Sequence, residues 1–371
     1  NFTLLLVGRL IQALGTGIFL PLMFSVVLMV FPMNKRGAVM GIVGLVLTAG
    51  PALGPSFAGL IISVSSWHYI FWLMIVLNLL LLIFGAPKMD NVSDLSRPKI
   101  DILSLVFSTV GFGGIVYALA TLAEASISEA KVWLPLVVGV IALILFITRQ
   151  FKMESPMINL RVFKYPMFAL GTVLMFFNLF MILSVAILIP LYLKSVLGFA
   201  ALAAGLLMLP GNALNIVMSP IVGSSFDRVG AKIYTRIGYV LITISAALFV
   251  IVISATTPVW QIVVLLMVFF LGISMTIMPA QTNAMNQLPP KMYADGSAAM
   301  NTLTQVAGAL GTAIAITMFT LGQTKYIEKN GAEAPLDFLA YGVHYAFIIV
   351  LIIAVLGLIG SFFIKNSRHS H

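Results

Sequence analysis

Cysteine is absent from all 371 residues. Disulfides, zinc–thiolate sites and thiol catalysis are excluded with it. Charge is almost as scarce: 8% of residues are Asp, Glu, Lys or Arg, against 61% that are hydrophobic. No water-soluble domain needs that much apolar surface, so the chain is an integral membrane protein. A Gly-Lys-Ser/Thr phosphate loop is missing, which argues against an ATP-driven pump. No paired histidines or carboxylate cluster points to a metal, and no cofactor is expected. The eleven acidic residues all fall in loops or at the ends of apolar runs. No enzyme signature is present.

What the chain does have is apolar runs of roughly 20 residues, the length that crosses a bilayer as a helix. Eleven are expected, at about 2–31, 38–63, 68–86, 102–123, 132–148, 167–193, 199–223, 233–254, 258–280, 297–322 and 340–364. The loops between them test the assignment, because cytoplasmic loops are rich in Lys and Arg. One alternate set holds fifteen of the twenty basic residues, including Lys35, Arg36, Arg149, Arg228, Lys232, Lys291 and Lys365. The other set holds four, and Arg9 lies inside a run. The expected C-terminus is therefore cytoplasmic, in a multi-pass protein of the cell membrane. The net charge of +9 sits in short loops rather than in a nucleic-acid-binding patch, and no nucleic-acid partner is expected.

Internal repetition divides the chain. Pro32-Met33-Asn34-Lys35-Arg36-Gly37-Ala38 and Pro290-Lys291-Met292-Tyr293-Ala294-Asp295-Gly296-Ser297-Ala298 share a proline, a basic residue and a glycine ahead of a small-residue helix. If the two are equivalent, the last six runs form one bundle (166–371). Residues 1–86 are then three helices remaining from a matching bundle whose first three precede Asn1. Residues 87–165 hold a linking loop and two extra spans.

The run Gly8-Arg9-Leu10-Ile11-Gln12-Ala13-Leu14-Gly15-Thr16-Gly17 sets a charge and an amide inside apolar sequence. A charge at bilayer depth costs about 2.5–3.5 kcal/mol on insertion scales, so it tends to line a cavity or pathway. Arg9 is seven residues into its run, about 10 Å along the axis, so snorkelling to the surface is the alternative. Gln12, three residues on, shares its helix face. Gly50-Pro51-Ala52-Leu53-Gly54-Pro55 removes side-chain bulk and backbone donors, which permits close helix approach at a bend. Ordinary packing and an inter-bundle seal both fit it.

These segments carry a resemblance. Gly8-Arg9 through Gln12 and Gly15 resembles the fourth-helix motif of the fourteen-span drug:proton antiporters of the major facilitator superfamily, the EmrB/QacA type. Gly41, Gly50, Pro51, Gly54 and Pro55 resemble that family's antiporter motif, although Pro55 and Gly59 depart from its double glycine. Trp67-His68-Tyr69-Ile70-Phe71-Trp72 resembles the start of its sixth helix, and Asp227-Arg228-Val229-Gly230, after Gly223, its second-half loop motif. The resemblance implies an all-α major facilitator fold, with eleven helices of an expected fourteen, and a proton-driven efflux antiporter for lipophilic or cationic compounds. Its expected partners are those compounds, protons and membrane lipids, with the oligomeric state left open. Arg9 and Gln12 would serve proton coupling; Gly223, Asp227, Arg228 and Gly230 would form a cytoplasmic gating loop. Phe176, Phe177, Asn178, Tyr192, Asn212, Asn215, Gln281, Asn283, Asn301 and Gln305 are candidate cavity-lining residues, with helix-to-helix bonding and lipid-facing packing as the plainer reading. No run carries a buried carboxylate to ferry the proton, and Glu124 is the weaker candidate within the chain. The other readings are a carrier for one defined metabolite with the same fold, and a truncated remnant that does not transport.

Overall fold

The computed structural model describes residues 2–88, 101–122, 129–153, 156–331 and 334–366. Within these ranges the side chains of Phe2, Thr48, Ala201 and residues 51–53, 55–56, 58–60 and 62–63 are not described. Glu124 lies outside the described residues, as do the basic residues Arg97, Lys99 and Arg368.

The described chain is all helical. Its eleven α-helices are α1 (Phe2–Val30), α2 (Met33–Val64), α3 (His68–Gly85), α4 (Ile102–Leu122), α5 (Ala130–Lys152), α6 (Pro166–Ser195), α7 (Ala201–Val229), α8 (Ala231–Val252), α9 (Val259–Met285), α10 (Tyr293–Asn330) and α11 (Pro335–Phe362). Each coincides with one expected apolar run. Ten are long and apolar enough to span a bilayer among the described residues. Within hydrocarbon only a helix bonds all its backbone groups internally, which is why apolar runs of this length take this form.

Several helices overrun the apolar stretch that marks them. α7 continues to Val229, so Gly223, Asp227 and Arg228 are helical and only Gly230 forms the turn into α8. This corrects the expected loop over 223–230. Ser, Asp and Arg tolerate the last turns of a helix in water, and the stop comes where Gly230 takes φ +84°. α10 likewise begins at Tyr293 and ends before Gly331 at φ +80°.

α6–α11 share one core. Tyr192, Tyr239, Phe249, Phe269 and Phe347 are all fully buried in it, with Phe249 stacked on Phe347 at 4.6 Å between ring centroids. Hydroxyls fasten helix to helix: Tyr239 Oη donates to Leu174 O at 2.8 Å, Ser184 Oγ to Gly311 O at 2.9 Å and Ser245 Oγ to Leu265 O at 2.8 Å. α4 and α5 form a hairpin in which Gly111 and Gly114 meet Gly139, and α4 leans on α10. The hairpin is tied by Asp101, which accepts from Arg149 Nε at 2.6 Å and Nη2 at 3.0 Å. That guanidinium holds the Asp101 carboxyl well below the usual carboxylate range, so it stays ionised and acts as a fixed brace.

α1 and α2 rest on this bundle more than on each other: α2 runs along α7, and α1 along α10. A second core joins them, with Phe24, Leu28 and Met40 packed among Phe168, Met278, Met285 and Met300.

Candidate functional site

The contacts of residues 36–37, 158–159, 227–232, 283–297 and 365–366 gather these segments at one end of the molecule, called here the basic end. α1 reaches this end at Leu28 and Phe31. Arg9, nineteen residues before Leu28, lies about 28 Å away along the axis, toward the opposite end.

Arg9 Nη1 donates to Gln12 Oε1 at 2.8 Å, so the guanidinium is held by the amide one turn along the same face. Both side chains line a cavity of about 610 Å³ between α1 and α10, with Ala13, Thr16, Gly17, Leu20 and Pro21 on one wall and Ala298, Asn301, Thr302 and Gln305 on the other. Its floor is closed where Ser297 Oγ donates to Pro21 O at 3.0 Å. Residues 3–18 of α1 are exposed.

A second cavity of about 380 Å³ lies deeper, walled by α1 and α2 (Leu20, Phe24, Gly44, Leu47) and by α6, α7, α9 and α10. The two cavities adjoin, since Leu20, Asn301 and Gln305 line both. Of the cavity residues expected from sequence, Asn178, Asn212, Asn215, Gln281, Asn301 and Gln305 converge here. Four others are placed elsewhere, with Phe176 half-buried against the main core. Phe177 is half-buried against the main core with its ring edge-on to Phe176. Tyr192 is buried and donates to Ser254 O at 2.6 Å near the opposite end. Asn283 Nδ2 donates to Lys365 O at 3.1 Å at the basic end.

The basic end is shut by backbone contact. Gly37 and Gly41 on α2 face Ser219 and Gly223 on α7, each pair one helical turn apart. A Cβ on Gly41 would lie 2.9 Å from Gly223 Cα and Ser219 O, and one on Gly223 would collide with Gly41 Cα. Small residues at i and i+4 on both helices permit this approach. Gly44 continues the stripe against Met278. By contrast, Gly50 and Gly54 have nothing within 4 Å of a Cβ position. The close approach thus falls on Gly41 and its neighbours; the side chains of Pro51 and Pro55 lie outside the described residues.

Charge reinforces the closure. Asp227 Oδ1 accepts from Gly37 N at 3.3 Å, placing an anion near the start of α2 where the helix dipole favours it. It therefore reaches across to α2 rather than capping the helix that follows it. Arg228 is exposed, and Gly230 sits against Asn366. Arg36 is buried at 8% exposure and spans the seam. Its Nε donates to Phe31 O at 3.0 Å and its Nη2 to Leu28 O at 2.5 Å; its Nη1 donates to Asn286 Oδ1 at 2.8 Å and Tyr293 Oη at 3.1 Å. The guanidinium also lies 5.3 Å from the Tyr293 ring centroid. The α1 carbonyls supply its negative partner, as a helix C-terminus does for a cation.

Sequence reasoning counted Arg36 as a basic anchor, held Tyr293 and Ser297 only as members of a matched loop, and passed over Asn286. One signal was available. Pro32–Ala38 and Pro290–Ala298, matched there as equivalent loops, meet each other in the fold through Arg36 and Tyr293.

A family description of the major facilitator superfamily matches residues 1–312. The chain is 47% identical over 371 residues to the lincomycin resistance protein LmrB of Listeria monocytogenes, covering 99% of this chain and 79% of that protein. Its identity to LmrB of Bacillus subtilis is 46%, over 100% of this chain and 78% of the relative. The riboflavin transporter RibZ of Clostridioides difficile is 27% identical over 89% of this chain and 71% of its own length. With its all-helical architecture and paired cavities, the chain belongs to the major facilitator superfamily and is an integral membrane transporter rather than an enzyme.

Proposed function

We propose that this protein is a proton-coupled efflux antiporter for lipophilic drug-like compounds, of the fourteen-span type, working by alternating access in the cell membrane. The carrying observation is the pair of adjoining cavities that α1 and α2 form with α6, α7, α9 and α10, with Arg9 and Gln12 lining the outer one and the basic end closed by backbone contact. The basic end is the cytoplasmic face in this reading, by the excess of Lys and Arg in its loops. α1–α3 and α6–α11 belong to two bundles that rock about the shared cavity, with α4–α5 as the linking pair. Drug efflux is supported by the LmrB relatives, whose own name concerns lincomycin. Arg9 supplies the fixed positive charge of the proton-coupling step, and Gln12 holds it in place.

The riboflavin transporter relative favours a second reading, a carrier for one defined metabolite. Transport in inverted vesicles holding an acid-inside gradient separates the two. Addition of lincomycin and unrelated lipophilic compounds drives proton release in a multidrug antiporter, and Arg9→Ala abolishes it. A response to riboflavin alone selects the single-cargo carrier; silence toward every compound removes both.

A further inference from the structure

The inner cavity has an unusual lining for a site that would hold a lipophilic cation. None of its lining residues is charged. Six are carboxamides: Asn178, Asn212, Asn215, Gln281, Asn301 and Gln305. Ser219, Ser274 and Thr304 add hydroxyls, and the rest of the wall is apolar and soft, with Met175, Met278 and Met300 beside Phe24 and Phe270, side chains that repack around varied shapes.

Two of the amides stand out. Asn178 is fully buried, and one end is held because its Oδ1 accepts from Thr276 Oγ1 at 2.9 Å. Its Nδ2 has no protein partner. Turning the amide over exchanges donor for acceptor and leaves one end free in either case. Asn215, on α7 and only 5% exposed, has an Oδ1 without a protein partner. Buried amide ends without partners cost stability, so they are informative where they border a cavity. Here both side chains line the inner cavity, from α6 and α7, and each has one amide end that no protein group satisfies.

The mouth of the pathway adds an independent argument. Arg9 carries the single charge lining the outer cavity, and among the described residues no carboxylate pairs with it. A cation entering past Arg9 meets repulsion first, and none of the described residues lining either cavity supplies a counter-charge. An uncharged amphiphile meets neither penalty.

We propose that Asn178 and Asn215 are specificity-determining residues that recognise cargo through neutral hydrogen-bonding groups, so the inner cavity takes uncharged amphiphiles bearing hydroxyl or amide groups in preference to permanent cations. This rests on the efflux reading above and narrows its substrate class.

Chloramphenicol, a neutral amphiphile with two hydroxyls and an amide, and tetraphenylphosphonium, a cation without hydrogen-bonding groups, are suitable probes. Binding of each to the purified protein in nanodiscs is measured by titration calorimetry. The wild type binds chloramphenicol the more tightly, and Asn178→Leu and Asn215→Leu each weaken it about tenfold, the scale of one buried hydrogen bond. Asn215→Asp reverses the preference by placing a carboxylate in the cavity, a gain that misfolding cannot mimic. Tighter binding of tetraphenylphosphonium by the wild type overturns the inference, as does chloramphenicol affinity unmoved in both leucine variants. The vesicle assay keeps the two readings apart. Export of chloramphenicol unaffected by Asn178→Leu and by Asn215→Leu removes this inference and leaves efflux standing. Chloramphenicol binding with no compound-driven proton movement removes proton-coupled efflux and leaves the recognition intact.

Discussion

α3 and α9 have nearly equal hydropathy, yet no residue in the apolar window of α3 is buried, while 61% of that of α9 is. The contrast extends to the groups they belong to. In α6–α11, Gly171, Gly211, Gly238, Gly272, Gly308 and Gly357 all lie where a Cβ would come within 3 Å of a neighbour. Among the described residues of α1–α3, Gly8, Gly15, Gly17, Gly50, Gly54 and Gly85 have no other atom of this chain within 4 Å of a Cβ position, and close approach falls on Gly37, Gly41 and Gly44. Apolar character places a helix in the bilayer; the matching of small residues decides what it touches. Lipid tails are as apolar as leucine, so hydropathy carries no information about helix partners. α2 runs along α7 over a long seam, and its closest backbone approach falls at the basic end, where a single added side chain disturbs the closure most.

The largest effect is expected at the glycine crossing. Gly223→Leu drives a side chain into the backbone of Gly41 and costs about 1–3 kcal/mol of the closed arrangement. Thiol labelling of Ser219→Cys, clean because the chain has no native cysteine, speeds up in that variant. Arg36→Met comes next. It removes the cation that ties the α1 carbonyls to Asn286 and Tyr293, for about 1.5–3 kcal/mol. Labelling at Ser219→Cys rises again, while the main-core melting temperature holds. Ser297→Ala deletes one bond to Pro21 O and costs about 0.5–1.5 kcal/mol, read as a modest gain in the same labelling rate. Smallest is Gly54→Ala. With no neighbour within 4 Å, it leaves thermal stability unchanged or raises it by up to about 1 kcal/mol through helix propensity. A marked loss of stability there would mean that α2 is packed along its whole length, and would erase the contrast between the two groups.

The eleven helices were legible because backbone satisfaction in lipid leaves few alternatives to a helix. Arg9 and Gln12 were legible as a pair because three residues of helix put them on one face. Six of the amides proposed for the cavity converge, yet Asn283 and Tyr192 do not, since a polar side chain on a membrane helix serves equally well to bond another helix. The sequence also could not show that Asp227 reaches α2, because that bond depends on how two distant helices cross. Glycine spacing at 37 and 41 held the clue, but it was overshadowed by the denser Gly-Pro run a few turns later. Arg36 was hidden for a related reason: a basic residue at a helix start reads as topology until the partner carbonyls are in view.

The most direct test of the account is a pair of distances measured by spin labels in one cysteine-free protein. One pair, Asn34→Cys with Arg228→Cys, spans α2 and α7 at the basic end; the other, Thr16→Cys with Thr302→Cys, spans the outer cavity. Alternating access predicts opposite movements when cargo and proton gradient are supplied: the first distance lengthens from its closed value as the second shortens. Two distances that stay fixed, or that grow together, would contradict a transporter closed at the basic end and open toward Arg9.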